Sequence, residues 1–230
     1  VTVVFAAYAA GVVASLFLLG HVSDWMGRRR MLVIAILISA LSAMLFTVFT
    51  DVPGLLIARI VNGVSIGVLT ATATAHLGEL RARARPDENA VVAASVAGGA
   101  NLGGLALGPL IGGLFADFLP DPLHLPHTVF AVVLILLAIA VALVPETLTA
   151  ARRTYRPQKV AVPAASRDRF VAAAFAAFAG FALFGLFTSL APSILVGIFD
   201  EHGHLVAGIT VFLVFGSAAA AQGLLARVAY

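Results

Sequence analysis

The stretch Gly20-His-Val-Ser-Asp24-Trp-Met-Gly27-Arg28-Arg29-Arg30 concentrates opposite charges and glycines inside an otherwise apolar chain. Its residue types suit ion pairing rather than bond chemistry. Glycines allow a tight loop where helices approach closely, Asp24 can face a helix N-terminus, and Arg28 can clamp a carboxylate. Such a cluster works as a latch between elements. A second charge, Arg59, stands inside an apolar run with Asn62 one turn further along the same face. A cation in hydrocarbon costs roughly 3 kcal/mol or more, so Arg59 must face protein or a water-filled cavity. Its two readings are a coupling role and a structural arginine satisfied by backbone carbonyls. A third feature is the run GLALGPLIGG, with Gly104, Gly108, Pro109, Gly112 and Gly113. Glycines four apart form a flat ridge for close helix packing, and Pro109 removes one backbone bond and bends the helix. Tyr8, Asn101 and Gln222 are polar residues within apolar runs, suited to lining a cavity or to packing hydrogen bonds.

Other chemistries are not supported. There is no Cys, hence no thiolate nucleophile or disulfide framework, and no run carries a Ser/His, paired-Asp or His-Glu metal constellation. His21, His76, His124, His127, His202 and His204 show no metal spacing and read as surface or interface residues. The single lysine, Lys159, lies between apolar runs, which excludes a retinal Schiff base in a span. No enzyme, metal or cofactor is expected.

The elements that must position these residues follow from the solvent. A bilayer core about 30 Å thick needs roughly 20 apolar helical residues, because backbone groups find no water there. Seven runs qualify: Thr2–Leu19, Met31–Thr50, Leu55–Leu77, Ala90–Phe115, Thr128–Val144, Phe170–Phe199 and Leu205–Leu225. Basic residues stay on the cytoplasmic side during insertion. Arg28–Arg30, Arg81, Arg83, Arg85, Arg152, Arg153, Arg156, Lys159, Arg167, Arg169 and Arg227 all fall after odd-numbered runs, while the intervening loops hold none. The first run therefore enters from outside, and Pro145–Arg169 is a cytoplasmic linker. Hydrophobic residues make up 61% of the chain and charged residues 11%, with mean hydropathy +1.07, which excludes an ordinary soluble domain. The basic balance reads as topology, not as nucleic-acid binding. Residue 1 is Val and the first apolar run begins at once without signal-peptide features, so a preceding segment is expected.

Taken together, the residues from Gly20 to Arg30 resemble the signature loop between helices two and three of the major facilitator superfamily. Leu55, Arg59, Asn62 and Gly63 are similar to that family's helix-four pattern, with Asn62 where Gln is usual and Ser65 where a glycine is common. The run from Gly104 to Gly113 resembles the helix-five motif of the drug and proton antiporters, with Ser95 at the position of a further glycine. Val144-Pro145-Glu146-Thr147 resembles the ending of helix six, and Glu79 corresponds to the family's acidic partner of the loop arginine.

The resemblance implies an all-α, polytopic partial major facilitator fold whose seven transmembrane helices correspond to family helices two to eight. Residues 1–144 would be the N-terminal half, 145–169 the inter-half linker and 170–230 the start of the C-terminal half. It implies a secondary carrier in the plasma (inner) membrane, exchanging a small-molecule substrate for a proton within the lipid bilayer and inactive as a fragment. Under it, Gly20, Asp24, Gly27, Arg28, Arg29, Arg30 and Glu79 form the conformational latch, with Arg28 on Glu79 or Asp87. Arg59, Asn62 and Asn101 serve coupling or line the cavity. The glycine stripe of the fourth run packs on the last run near Gly216–Ala221. A symporter of the same fold is the alternative, and a seven-helix receptor a weaker one.

Overall fold

The computed structural model describes residues 2–86, 90–148, 162–200 and 202–228. Among these residues every regular element is helical, as a chain without water around its backbone requires. In order they are α1 (Thr2–Leu19), α2 (Ser23–Met26), α3 (Arg28–Val48), α4 (Val52–Ala84), α5 (Ala90–Phe118), α6 (Leu125–Ala142), α7 (Arg167–Phe199) and α8 (His204–Val228). A turn of 3₁₀ helix, Ala164–Ser166, leads into α7. Each of the seven apolar runs falls on a helix. Helices α3 to α8 provide six segments long and apolar enough to cross a membrane, and the apolar part of α1, Ala6–Leu19, is shorter.

Helix ends depart from the apolar runs for local reasons. Helix α3 begins at Arg28, before its apolar stretch, because Gly27 at φ 99° turns the chain directly from α2 into α3. Helix α4 runs two turns past Leu77 to Ala84, where Arg81 and Arg83 suit the negative end of the helix dipole. At its start the Asp51 side chain accepts from Gly54 N, and Pro53 occupies the first turn.

The chain divides into two compact units. One comprises residues 1–99, 120–158 and 222–230; the other comprises 100–119 and 159–221. In the first unit α4 packs on α1 and α3, and α3 packs on α6. Its core gathers Val22, Met31, Ala35 and Val68, flanked by Leu19 and Leu69. Gly63 and Gly67, four apart on α4, let α1 come to backbone contact. A Cβ at Gly63 would lie 2.3 Å from Tyr8 O, and one at Gly67 would lie 2.7 Å from Val12 O. Helices α3 and α4 exchange hydroxyl bonds: Ser42 Oγ donates to Ala58 O at 2.9 Å and Ser65 Oγ to Ala35 O at 2.6 Å. Ser65, where the family pattern has glycine, thus ties two helices through a buried bond.

The second unit is built on α5 and α8. Ala106, Val211 and Phe215 form its core with Leu102, Phe184 and Phe212, and the rings of Phe184 and Phe215 stack at 4.6 Å. Large apolar side chains of α6 and α7, such as Leu136, Ile139, Phe175 and Phe178, remain exposed. That is the surface a bilayer or further helices of a membrane protein cover.

Candidate functional site

Arg28, in the first turn of α3, is the centre of a charged cluster in the first unit. Its side chain is only 12% exposed, so its pairings are not surface decoration. Nη1 lies 2.6 Å from Asp24 Oδ1 and donates to the buried Ser23 Oγ at 2.6 Å. Nε and Nη2 both donate to Glu79 Oε1, at 3.1 and 3.0 Å. The expected pairing of Arg28 with Glu79 is therefore the arrangement present, while Asp87 lies outside the described residues. One guanidinium joins α2, α3 and α4.

The other anchor is Glu146, which follows α6. Its Oε1 accepts from Arg28 N at 2.9 Å and its Oε2 from Arg29 N at 3.1 Å, so a remote carboxylate caps the positive end of α3. Arg28, Arg29 and Arg30 place like charge at that end, and Glu146 offsets it. Thr147 N and Leu148 N also donate to Oε1, at 3.0 and 3.2 Å. Burial pushes the Glu146 carboxyl upward, but the backbone N–H groups of Leu148, Arg28, Arg29 and Thr147 outweigh it and hold the group below its ordinary value. Gly27 leaves room for this cap, since a Cβ there would sit 2.7 Å from Glu146 Oε2.

Thr147 completes the cluster. Its hydroxyl donates to Glu79 Oε2 and faces His76 Nδ1 at 3.0 Å, and its carbonyl accepts from Arg83 Nη2. Arg29 Nη1 reaches Val144 O at 3.4 Å. The segment 144–148 is thus fastened to the start of α3 and the C-terminal end of α4. The arrangement holds these helix ends together by charge-assisted hydrogen bonds.

Of the expected latch residues, Asp24, Gly27, Arg28, Arg29 and Glu79 sit in this cluster, Gly20 follows α1 where a Cβ would meet Leu16 O at 2.5 Å, and Arg30 is exposed. Sequence reasoning did not assign Glu146, Thr147, His76, Ser23 or Arg83 to the site. The available signal was topological, since the loops holding Arg28, Arg83 and Glu146 all fall on the basic side of the apolar runs.

Arg59 stands apart from this cluster. Its guanidinium carbon lies 5.1 Å from the centroid of Phe46, whose ring stacks on His127 at 5.0 Å, and its buried Nε has no hydrogen-bond partner. Asn62 is half-buried one turn along α4. Asn101, on α5, is exposed.

On α5, Ala106, Pro109, Gly113 and Asp117 share the face that meets α8. A Cβ at Gly113 would lie 2.4 Å from His204 O, and one at Gly208 would lie 2.5 Å from Pro109 O. Asp117 caps α8, accepting from His204 N at 3.2 Å and Leu205 N at 2.7 Å, with His204 Nδ1 at 2.8 Å. Gly104, Gly108 and Gly112 lie on the other side of α5, where an added Cβ meets nothing within 4 Å. Close packing of α5 on α8 is present along His204 to Phe215, and Gly98 of α5 also approaches the Gln222 side chain, but none of Gly104, Gly108 and Gly112 meets Gly216–Ala221.

The chain matches the family described as Major Facilitator Superfamily over residues 1–229. It is 31% identical over 162 residues to a triacylglyceride transporter of Mycolicibacterium hassiacum. That alignment covers 70% of this chain and 29% of the relative, so the chain spans well under half of the relative's length. No solved structure matches it.

Proposed function

We propose, from the premise that this chain belongs to the Major Facilitator Superfamily, that it is part of a secondary carrier working by alternating access. The whole protein, not the chain alone, would move a small molecule across the plasma membrane in exchange for a proton. One observation carries the reading: a single buried guanidinium, Arg28, ties three helices while Glu146 fastens a fourth segment to the same helix end. A cluster of charge-assisted bonds at helix ends suits a contact that must open once per cycle, because it is strong when formed and loses little when water replaces it. A static scaffold would sooner use apolar packing.

In this reading the N-terminal half is 1–144, the linker 145–169 and the start of the second half 170–230. The resemblance of Gly104 to Gly113 to the helix-five run of drug and proton antiporters favours efflux. Arg59 keeps its charge at all physiological pH, so it does not carry the proton; it biases a nearby acid or orders water. Asn62 and Asn101 are proposed to line the path. A second reading, export of an apolar lipid, has the named cargo of the Mycolicibacterium relative in its favour.

The test is transport by the complete protein in sealed proteoliposomes under an imposed pH gradient. Extrusion of an apolar dye against its gradient, abolished when the pH gradient is collapsed, is the expected result. Uptake with the proton gradient would replace efflux by symport, and movement of triacylglyceride without a pH requirement would favour the second reading.

A further inference from the structure

We infer that His76 is a proton switch for the Arg28–Glu79 latch: neutral, it holds the latch closed, and a proton taken up at Nε2 opens it. The inference rests on reading that cluster as a latch and adds the residue that makes it respond to pH.

The bond directions fix the state of the ring. Thr147 Oγ1 carries one proton, which it gives to Glu79 Oε2. The 3.0 Å contact between Thr147 Oγ1 and His76 Nδ1 therefore needs its proton from the ring, so Nδ1 is the protonated nitrogen. In the neutral imidazole Nε2 is then a bare lone pair. His76 is 4% exposed, and Nε2 has no hydrogen-bond partner. A buried imidazole with one nitrogen engaged in a relay and the other idle is an unoccupied proton site.

The surroundings set the sign. Facing the ring are Glu79 and Arg83 from α4 itself, Arg28 from α3 and Glu146 from the segment after α6. Asp24 of α2 stands behind Arg28, and α1, packed on α4, contributes no Asp, Glu, Lys, Arg or His. The carboxylates are already engaged: Glu79 is held by Arg28, and Glu146 accepts from four backbone N–H groups, while Arg83 is bonded to the backbone carbonyls of Glu146 and Thr147. A proton at Nε2 adds a third cation and a buried N–H with no acceptor, which costs free energy while the site stays shut. Parting the inner end of α4 from residues 144–148 brings water to Nε2 and removes that cost. Proton uptake therefore favours the open latch, and the closed latch is most stable when the imidazole is neutral. A merely structural histidine, held as a hydrogen-bond donor, would make the same Nδ1 contact with no dependence on pH.

The chain contains a single tryptophan, Trp25, beside Asp24 in α2, and its emission reports on the latch without any need for transport. The experiment follows Trp25 emission of the chain in lipid nanodiscs between about pH 8 and 5, the range in which imidazoles titrate. The expected result is a one-proton shift in emission on acidification, absent from His76→Asn, whose amide keeps the donor to Thr147 and cannot titrate. Thr147→Val gives an independent arm: with the relay cut, the latch is easier to open and the step moves to higher pH. A flat profile in the native chain, or the same step persisting in His76→Asn, overturns the inference. Should His76→Asn not fold, an unmoved step in Thr147→Val overturns it. A step that depends on His76 in a protein whose complete form fails to transport supports the switch and counts against the carrier reading alone.

Discussion

At the scale of single residues, Glu146 and Arg59 make opposite demands on the same physics. Glu146 receives four backbone N–H groups and faces the positive end of α3. Glu146→Gln retains the shape and removes the charge, and the expected loss is about 1–2 kcal/mol, the range for a carboxylate at a partly buried helix terminus. Thermal unfolding in detergent checks it. The sign with pH follows from a carboxyl held below its ordinary value in the folded protein. Its contribution is complete above the unfolded value and is lost as pH falls through the lowered one. Native stability should therefore fall more steeply than that of Glu146→Gln only below the usual glutamate range, with no difference in slope near neutrality. Arg59 has a ring beneath it and an idle Nε. Arg59→Lys keeps the charge but not the flat face that lies on Phe46. Expression near normal with transport by the complete protein reduced roughly tenfold or more is expected, since losing about 1.4 kcal/mol of coupling already costs that factor. Normal transport with an unchanged pH profile in Arg59→Ala would end the coupling role.

Helices were legible from the sequence because a bilayer leaves only helices and closed barrels, and runs this long and this continuously apolar fit α1 and α3 to α8 rather than short alternating strands. Their faces were less legible. The repeat of glycines at 104, 108 and 112 drew the reading to one side of α5, yet the face on α8 carries Ala106, Pro109 and Gly113, which break the strict four-residue spacing. Spacing shows which residues share a stripe but not which stripe meets a partner. The Gly63 and Gly67 pair on α4 has the same four-residue spacing, and there the stripe does meet a partner, α1. Gly113→Leu should drive side-chain atoms into the backbone of His204 and Leu205, costing several-fold in folded yield, whereas Gly108→Leu has open space. Size-exclusion profiles of the two variants separate these outcomes. An aggregated Gly108→Leu beside a monodisperse Gly113→Leu would reverse the assignment of the packing face.

For the molecule as a whole, the legible part of the candidate site was the part written in one stretch. Asp24 and Arg28 are four residues apart and advertise a pair, while Glu146 and Thr147 reach the same place from more than a hundred residues away. Only topology could have joined them: the basic residues assign the ends of α4 and α6 near Arg83 and Glu146 to the side that holds Arg28. The same assignment makes a prediction for the complete chain in the membrane. These 230 residues contain no cysteine, so a single cysteine placed among them is the one reactive thiol of this chain. Cysteines at Arg85 and Arg30 should react with a membrane-impermeant maleimide only after the cells are opened. Cysteines at Asp51 and Asp121, which lie between helices on the side without Lys or Arg, should react in intact cells. Asp121 also pairs with His124 at 3.0 Å, and that contact lowers its carboxyl, so Asp121 is charged at neutral pH and stays in water at the helix end. Labelling of the Arg30 cysteine in intact cells would invert the topology, and with it the assignment of the Arg28 latch to the cytoplasmic face.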